Sequence, residues 1–345
     1  AQPTDLSPRE ARDRFLSMRE ADATDRTIRS YRNRLTRFVE WCEQQQIERV
    51  GDLTAWAIDE YAMSRRQHDL APTTIKGQLA TLRVLLKYLE RIGAVEDGLA
   101  DAVDTPNLSA EEMSSDQRLR TEDAKALLGY FRDSRARFGT PMHAFLEVAW
   151  NTGARMGSLR ALDLDDFDAE ERTLRFQHRQ ETGTPLKNKT DAERIVAISE
   201  PVVEALEVYV DRERSDKRDD YGREPLFCAR QGRPSFSTLR GYSYLATQPC
   251  LHSPCPHDKQ RGTCEWTLRA ESSKCPSSRS PHRIRTGSIT WQRDCGLPAE
   301  VVSERVNATL EVIEKHYDQA TKRQRLEERR RPYITNLELD LEADS

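Results

Sequence analysis

Apolar residues recur at helical spacing through the first hundred positions, lose that spacing between residues 105 and 117, and resume beyond in a mixed pattern. This break constrains the fold most, because it separates an all-helical segment from one that also carries strand signals. In the first segment, Ser7-Pro8-Arg9-Glu10 offers a capping Ser, a Pro at the first helical position and a Glu at the third, which is a capping box. Ile28, Tyr31, Leu35, Phe38, Val39 and Cys42 make one apolar stripe. A further helix opens near Thr54, and a fourth near Thr73 carries Leu79, Leu82, Leu85, Leu86, Leu89 and Ile92 up to Gly93. A helical bundle is expected over 7–105 and a linker over 106–117, where Pro106, Ser109, Ser114 and Ser115 interrupt the pattern.

The second domain is expected over 118–332. It reads as a helix capped at Thr121, helices over 142–150, 202–210, 236–244 and 281–295, and one long helix over 310–331. Period-two segments at 173–177 and 195–198 are the strand signals. The fold class is therefore mainly α (α+β): a helical bundle plus a mostly helical domain with a small antiparallel sheet. An acidic tail follows over 333–345.

Composition excludes some classes of function. The hydrophobic share is 37% and the charged share 32%, and no run approaches the roughly 18 consecutive apolar residues of a membrane span. The stretch 1–20 carries no apolar core of a secretory signal, so a cytoplasmic location is expected. A net charge of −4 does not by itself point to nucleic acid, yet the charge is segregated. Arg269, Lys274, Arg279, Arg283, Arg285 and Arg293 stand against only Glu271, whereas the last ten residues hold four acids and no base. That distribution suits a basic cleft on an otherwise acidic protein.

Four short segments of the second domain carry chemistry. In Asn151-Thr152-Gly153-Ala154-Arg155, Gly153 can end one helix and Arg155 begin the next, where free backbone N–H groups favour an anion. Lys187-Asn188-Lys189 forms a polar turn before a strand. In Ser280-Pro281-His282-Arg283-Ile284-Arg285, His282 and Arg285 share a helical face at i, i+3. Last comes Lys315-His316-Tyr317-Asp318.

This ordered set resembles the tyrosine recombinase (phage integrase) family, in which a Thr-Gly-x-Arg segment, a hairpin Lys, His-x-x-Arg and a C-terminal Tyr occur in this order. Each piece alone is common; the order and the spacing across the domain carry the resemblance. The Cys-rich stretch and Arg305-Val306-Asn307 are most similar to integrases of halophilic archaea and their viruses. The resemblance implies that residues 7–105 are a SAM-like core-binding domain and that the protein is a site-specific recombinase. Its partner would be double-stranded DNA, bound as a homotetramer on two duplexes with no membrane involved, in the nucleoid of the cytoplasm.

It further implies that Tyr317 attacks the DNA phosphate to give a 3′-phosphotyrosine. Arg155 and Arg285 would hold the non-bridging oxygens with forked donors. His282 would act as base or orienting group, and Lys189, with Lys187 as competitor, would protonate the leaving 5′-oxygen. No catalytic cofactor is required. One position departs from the pattern. Where the family has His or Trp nine residues before the nucleophile, this chain has Ala308, and Asn307 at ten is the candidate phosphate donor. The acidic residue usually found three after the first Arg is Ser158 here. Two other classes fit part of the pattern: a non-catalytic zinc-containing DNA-binding regulator, and a type IB topoisomerase-like enzyme.

Four of the seven cysteines, Cys250, Cys255, Cys264 and Cys275, fall in a Cys-rich stretch read as an insertion at 249–276, with His252 and His257 among them. Thiolate and imidazole side chains are zinc ligands, so a structural zinc on the four cysteines, with His257 as alternate, is the expectation. Cys42, Cys228 and Cys295 read as ordinary buried residues.

Overall fold

The computed structural model describes residues 2–108, 117–318 and 320–337. Linker positions 109–116 and tail positions 338–345 lie outside them. The chain divides into two compact units, Ala1–Ser115 and Asp116–Ser345.

In the first unit, α1 (Pro8–Arg19), α2 (Asp25–Gln44), α3 (Ala55–Gln67) and α4 (Pro72–Arg91) build the bundle. Ser7 closes the capping box with Glu10, and Thr24 and Thr54 cap α2 and α3 with their hydroxyls. The apolar stripe of α2 is buried against α1 and α4, where Phe15, Leu16, Leu35, Phe38, Leu79, Leu82 and Leu86 form the core. Tyr61 fixes α3 through edge contacts with Phe38 and Trp41 at centroid distances of 5.1 and 5.5 Å.

The second unit is organised around a buried helix. It comprises α5 (Thr121–Arg132), α6 (Pro141–Thr152), α7 (Met156–Ala161), β1 (Phe167–Asp168), β2 (Thr173–Phe176), β3 (Arg194–Ala197), α8 (Glu200–Arg212), α9 (Phe236–Ala246), α10 (Pro281–Asp294) and α11 (Ala299–Val306). Helix α6 is apolar on most of its circumference and packs against α5, α8, α9 and α10. Its buried Glu147 is paired with Arg132 and accepts from His143 Nε2 at 3.1 Å, while His143 Nδ1 accepts from the Gly139 amide at 2.9 Å. The sheet is antiparallel in the order β1-β2-β3, with Leu174 opposite Val196 and Phe176 opposite Arg194. Leu174, Phe176 and Val196 face the core, and the 177–193 connection carries both candidate lysines.

Several expectations are corrected. Arg120, not Thr121, occupies the N-cap of α5. A two-residue strand, β1, joins the sheet. The helix expected over 310–331 is broken: α12 (Leu310–Val312) passes into a π turn over Ile313–Tyr317, and Asp318 leaves the helix at φ −80°, ψ 84°. Thr321 then caps a new helical start. Cys295 is exposed, because it sits one residue past the end of α10; Cys42 and Cys228 are buried. No helix among the described residues is long and apolar enough to cross a membrane.

One glycine sets how closely α10 can approach. A Cβ on Gly287 would lie 2.0 Å from the Leu119 carbonyl oxygen and 3.0 Å from the Trp150 ring. The Leu119 amide donates to Arg283 O at 3.1 Å in the same contact. Gly287→Ala therefore forces α10 away from its neighbours and is expected to destabilise the second unit by about 2–3 kcal/mol, read as a lower denaturation midpoint. A loss below about 0.5 kcal/mol, the range of ordinary surface changes, would contradict this packing.

Candidate active site

The N-terminal end of α10 and the loops around it gather most of the predicted residues. Gly153 terminates α6 at φ 60°, and a Cβ there would crowd Ser288 Oγ at 3.0 Å and Val306 Cγ1 at 3.1 Å. The chain turns at this point so that Arg155 becomes the N-cap of α7. Arg155 Nη1 donates to the Asn307 carbonyl at 2.5 Å.

Arg285 is 2% exposed. Its Nη1 donates to Gly153 O at 2.7 Å and Val306 O at 2.8 Å, whereas Nε and Nη2 are buried and make no hydrogen bond. Its guanidinium carbon lies 4.8 Å from the centroid of the Tyr317 ring. Burial drives its pKa down to about 10, against the pull of the Tyr317 hydroxyl and with the help of Arg155. It therefore stays charged at neutral pH.

Tyr317 is 7% exposed and belongs to a small cluster with Ile289, Val302, Val306, Ala308 and Ile313. Thr290 Oγ1 donates to its carbonyl at 2.9 Å. His282 also lies against this ring, at 5.5 Å between centroids. Partial desolvation, followed by the charges of Arg285, Arg283, Arg155 and Lys187, holds His282 below its ordinary value of 6.5. The imidazole is thus neutral at pH 7.

Asn307 ties three parts of the site together. It caps the end of α11 in the left-handed conformation, φ 50°, which Asn tolerates better than most residues. Its carbonyl holds Arg155, its Oδ1 accepts from Asn188 Nδ2 at 2.8 Å, and its Nδ2 is buried with no partner. Asn188 lies between the two candidate lysines, so this bond tethers their turn to the site. Lys187 and Lys189 are both exposed, and it is Lys187 that is among the charges acting on His282. Lys189 begins a short 3₁₀ turn at φ 53°. Ser158 is buried in α7.

Sequence reasoning missed two further cations. Arg194, opposite Phe176 in the sheet, lies over that ring at 4.2 Å and donates to Arg305 O at 2.8 Å. Burial and then the charges of Arg285, Arg155 and Arg305 bring its pKa down to about 10. Arg305 donates to Ala197 O and to Asn151. Among the described residues, none of Arg155, Arg194, Arg285 and Arg305 is within salt-bridge distance of a carboxylate. Four guanidiniums around one locus, held by carbonyls and amides instead of acids, create a positive potential with spare donors. Such a locus can bind an anion and stabilise added negative charge on it.

Among the described residues no group of three or more His, Cys, Asp or Glu side chains could hold a metal ion. Cys250 instead accepts from Arg261 at 3.1 Å, His257 Nε2 pairs with Ser277 Oγ at 2.9 Å, Cys275 is buried, and Cys255 and Cys264 are half-buried.

Residues 117–317 match the phage integrase family, and residues 14–93 match the phage integrase N-terminal SAM-like domain. The chain is 26% identical over 292 residues to tyrosine recombinase XerD of Mycobacterium leprae, covering 81% of each chain. It is 28% identical over 290 residues to XerD of Mycobacterium tuberculosis, covering 81% of this chain and 82% of that one. In fold it is similar to the Tn1549 transposon integrase in complex with a circular intermediate DNA, with a TM-score of 0.66 at 14% identity, covering 96% of this chain and 100% of that chain. A lambda integrase tetramer bound to a Holliday junction matches with a TM-score of 0.61 at 13% identity, covering 92% and 79%. Since the family match spans more than half of its length, the chain belongs to the phage integrase family, the tyrosine-type site-specific recombinases.

Proposed function

We propose that this protein cleaves and rejoins double-stranded DNA at specific sites, with Tyr317 as nucleophile and Arg155, Arg285 and Asn307 as phosphate donors. The observation that carries the reading is Arg285, which is buried beside the Tyr317 ring with two guanidinium nitrogens, Nε and Nη2, making no hydrogen bond and no carboxylate within salt-bridge distance. A non-catalytic regulator would have no use for that arrangement. A phosphodiester placed there would receive two N–H donors from Arg285, further donors from Arg155 and the spare Nδ2 of Asn307. As the Tyr317 oxygen bonds to phosphorus, the 5′-oxygen departs and the charge on the non-bridging oxygens rises, where these donors gain most.

Neutral His282 can take or orient the phenol proton, and the lysine turn supplies the acid for the leaving oxygen. Lys189 is the assigned acid by its offset from β3, with Lys187 the competitor. The phosphotyrosyl bond keeps the ester's energy, so a second 5′-hydroxyl reverses the step, and the reaction calls for neither ATP nor a catalytic metal. Integration or excision of a mobile element by four protomers on two duplexes, in the cytoplasm, is the reading favoured for the biological role. The lambda integrase tetramer supports it by fold alone. A structural zinc rests on the residue types of Cys250, Cys255, Cys264 and Cys275; one zinc per purified chain would support it, and none would remove it.

The test is recombination between two sites. Plasmids carrying paired segments of the DNA flanking the coding region should yield recombinant products. Relaxation of a single supercoiled plasmid without recombinants would instead indicate a topoisomerase.

The pH profile gives a second check. A step that needs the neutral ring is lost as His282 protonates, so its acid limb should lie below pH 6.5. Lys187→Ala removes one of the charges that depress His282, and the limb should move to higher pH. An unmoved limb would show that the Lys187 charge is not felt at the ring.

A further inference from the structure

The segment after Tyr317 is anchored by a buried ion-pair network that the reaction itself does not use. Asp318, directly after Tyr317, leaves the helix, and its amide donates back to Ile313 O at 2.7 Å. Both of its carboxylate oxygens are taken by Arg329, Nη1 to Oδ2 at 2.6 Å and Nη2 to Oδ1 at 2.9 Å. The same guanidinium donates from Nε to Asp294 Oδ1 at 2.8 Å. The side chains of Arg329, Asp318 and Asp294 are only 10%, 8% and 13% exposed, so little water competes for these bonds. Burial works to raise the Asp318 pKa, but the Arg329 hydrogen bonds and the charges of Arg329 and Arg325 prevail and hold it below the ordinary carboxylate value.

Asp294 is the last residue of α10, and the first turns of that helix carry His282 and Arg285. Arg329 therefore joins the nucleophile's chain to the far end of the helix that bears both neighbours of the Tyr317 ring. All three kinds of N–H on its guanidinium are engaged by carboxylates, which leaves it unsuited to a phosphate.

We propose that Arg329 is a positioning residue for the nucleophile: by clamping Asp318 to Asp294 it keeps the π turn in place and Tyr317 against His282 and Arg285. The proposal rests on Tyr317 being the nucleophile. Without the clamp, nothing in the sequence of 313–318 favours a bent turn over a continued helix, and the Tyr317 oxygen loses its fixed distance to the bound phosphate.

The test uses the full chain with Arg329→Ala, Arg329→Lys, which keeps charge without the fork, and the double variant Asp318→Asn with Arg329→Gln, which removes both charges of the Asp318–Arg329 pair and leaves Asp294 as the one carboxylate without its partner. Nitration of tyrosines in the DNA-free protein, read peptide by peptide, reports the turn directly. Tyr317 should become several-fold more reactive in Arg329→Ala and in the double variant, while buried Tyr209 stays protected. On a pool of nicked suicide duplexes tiled across the flanking DNA, the saturating rate of covalent capture should fall about 10–100-fold, the scale of an ångström-sized misplacement, with DNA affinity unchanged. Arg329→Lys should fall between parent and Arg329→Ala.

Tyr317 as protected as in the parent in all three variants would overturn the proposal. So would reactivity that rises at Tyr317 and Tyr209 together, which would mark general unfolding. If Tyr317 is freed but the parent captures no DNA, the clamp stands and the recombinase reading fails.

Discussion

Tyr317→Phe should abolish covalent capture of DNA while leaving the fold and the affinity for DNA in place. Phe keeps the ring that packs with Ile289, Val302, Val306 and Ile313 and that sits against His282 and Arg285. The Thr290 bond goes to the backbone carbonyl of residue 317 and is retained. Only the oxygen is lost, and with it the bond to phosphorus, so no neighbouring group can substitute. Loss of a nucleophile removes about 10⁴-fold or more of the rate, which places the variant below detection. Suicide duplexes that trap the parent should trap no variant, and gel-shift affinities should agree within about twofold. A variant that still forms adduct would transfer the role to another side chain.

The second large effect is expected at Arg285, and from the mildest exchange. Arg285→Lys keeps the positive charge, yet a single ammonium cannot replace a guanidinium that holds Gly153 O and Val306 O with one nitrogen and offers two others. If the lysine satisfies the carbonyls, the phosphate loses its forked donors; if it turns to the phosphate, two carbonyls lose theirs. Removing preorganised donors of this kind costs about 10²–10³-fold in the chemical step. Single-turnover capture should fall by that amount at saturating DNA, with much less change in binding, because the donors matter most as charge builds on phosphorus. A rate within threefold of the parent would show that the charge alone suffices and that the fork has no role.

Local signals made much of this molecule legible. Gly153 before Arg155, the spacing of His282 and Arg285, the cap at Ser7 and the helix start near Thr54 each act within one turn of backbone, and the structure shows them where the pattern put them. The break at Asp318 was not legible. Leu310, Ile313, Tyr317 and Ala320 continue a helical stripe, and the interruption depends on Arg329, whose partner Asp294 is 35 residues away. Arg194 was lost among 54 basic residues, and Arg305 was noted only as part of a resemblance, because the importance of both comes from being buried near the other site arginines. The role of Asn188 comes from its bond to Asn307, 119 residues away, which no local signal shows. In the Cys-rich segment the residue types were plain, but ligation depends on where a loop brings them, which spacing does not determine.

The central claim is that the Tyr317 oxygen becomes bonded to DNA. Mass spectrometry of the nuclease-trimmed, proteolysed adduct of the parent protein tests it most directly. The account predicts a nucleotide 3′-phosphate on the peptide containing Tyr317 and on no other. The same mass on the peptide containing Tyr333, or on a serine or histidine, would contradict it.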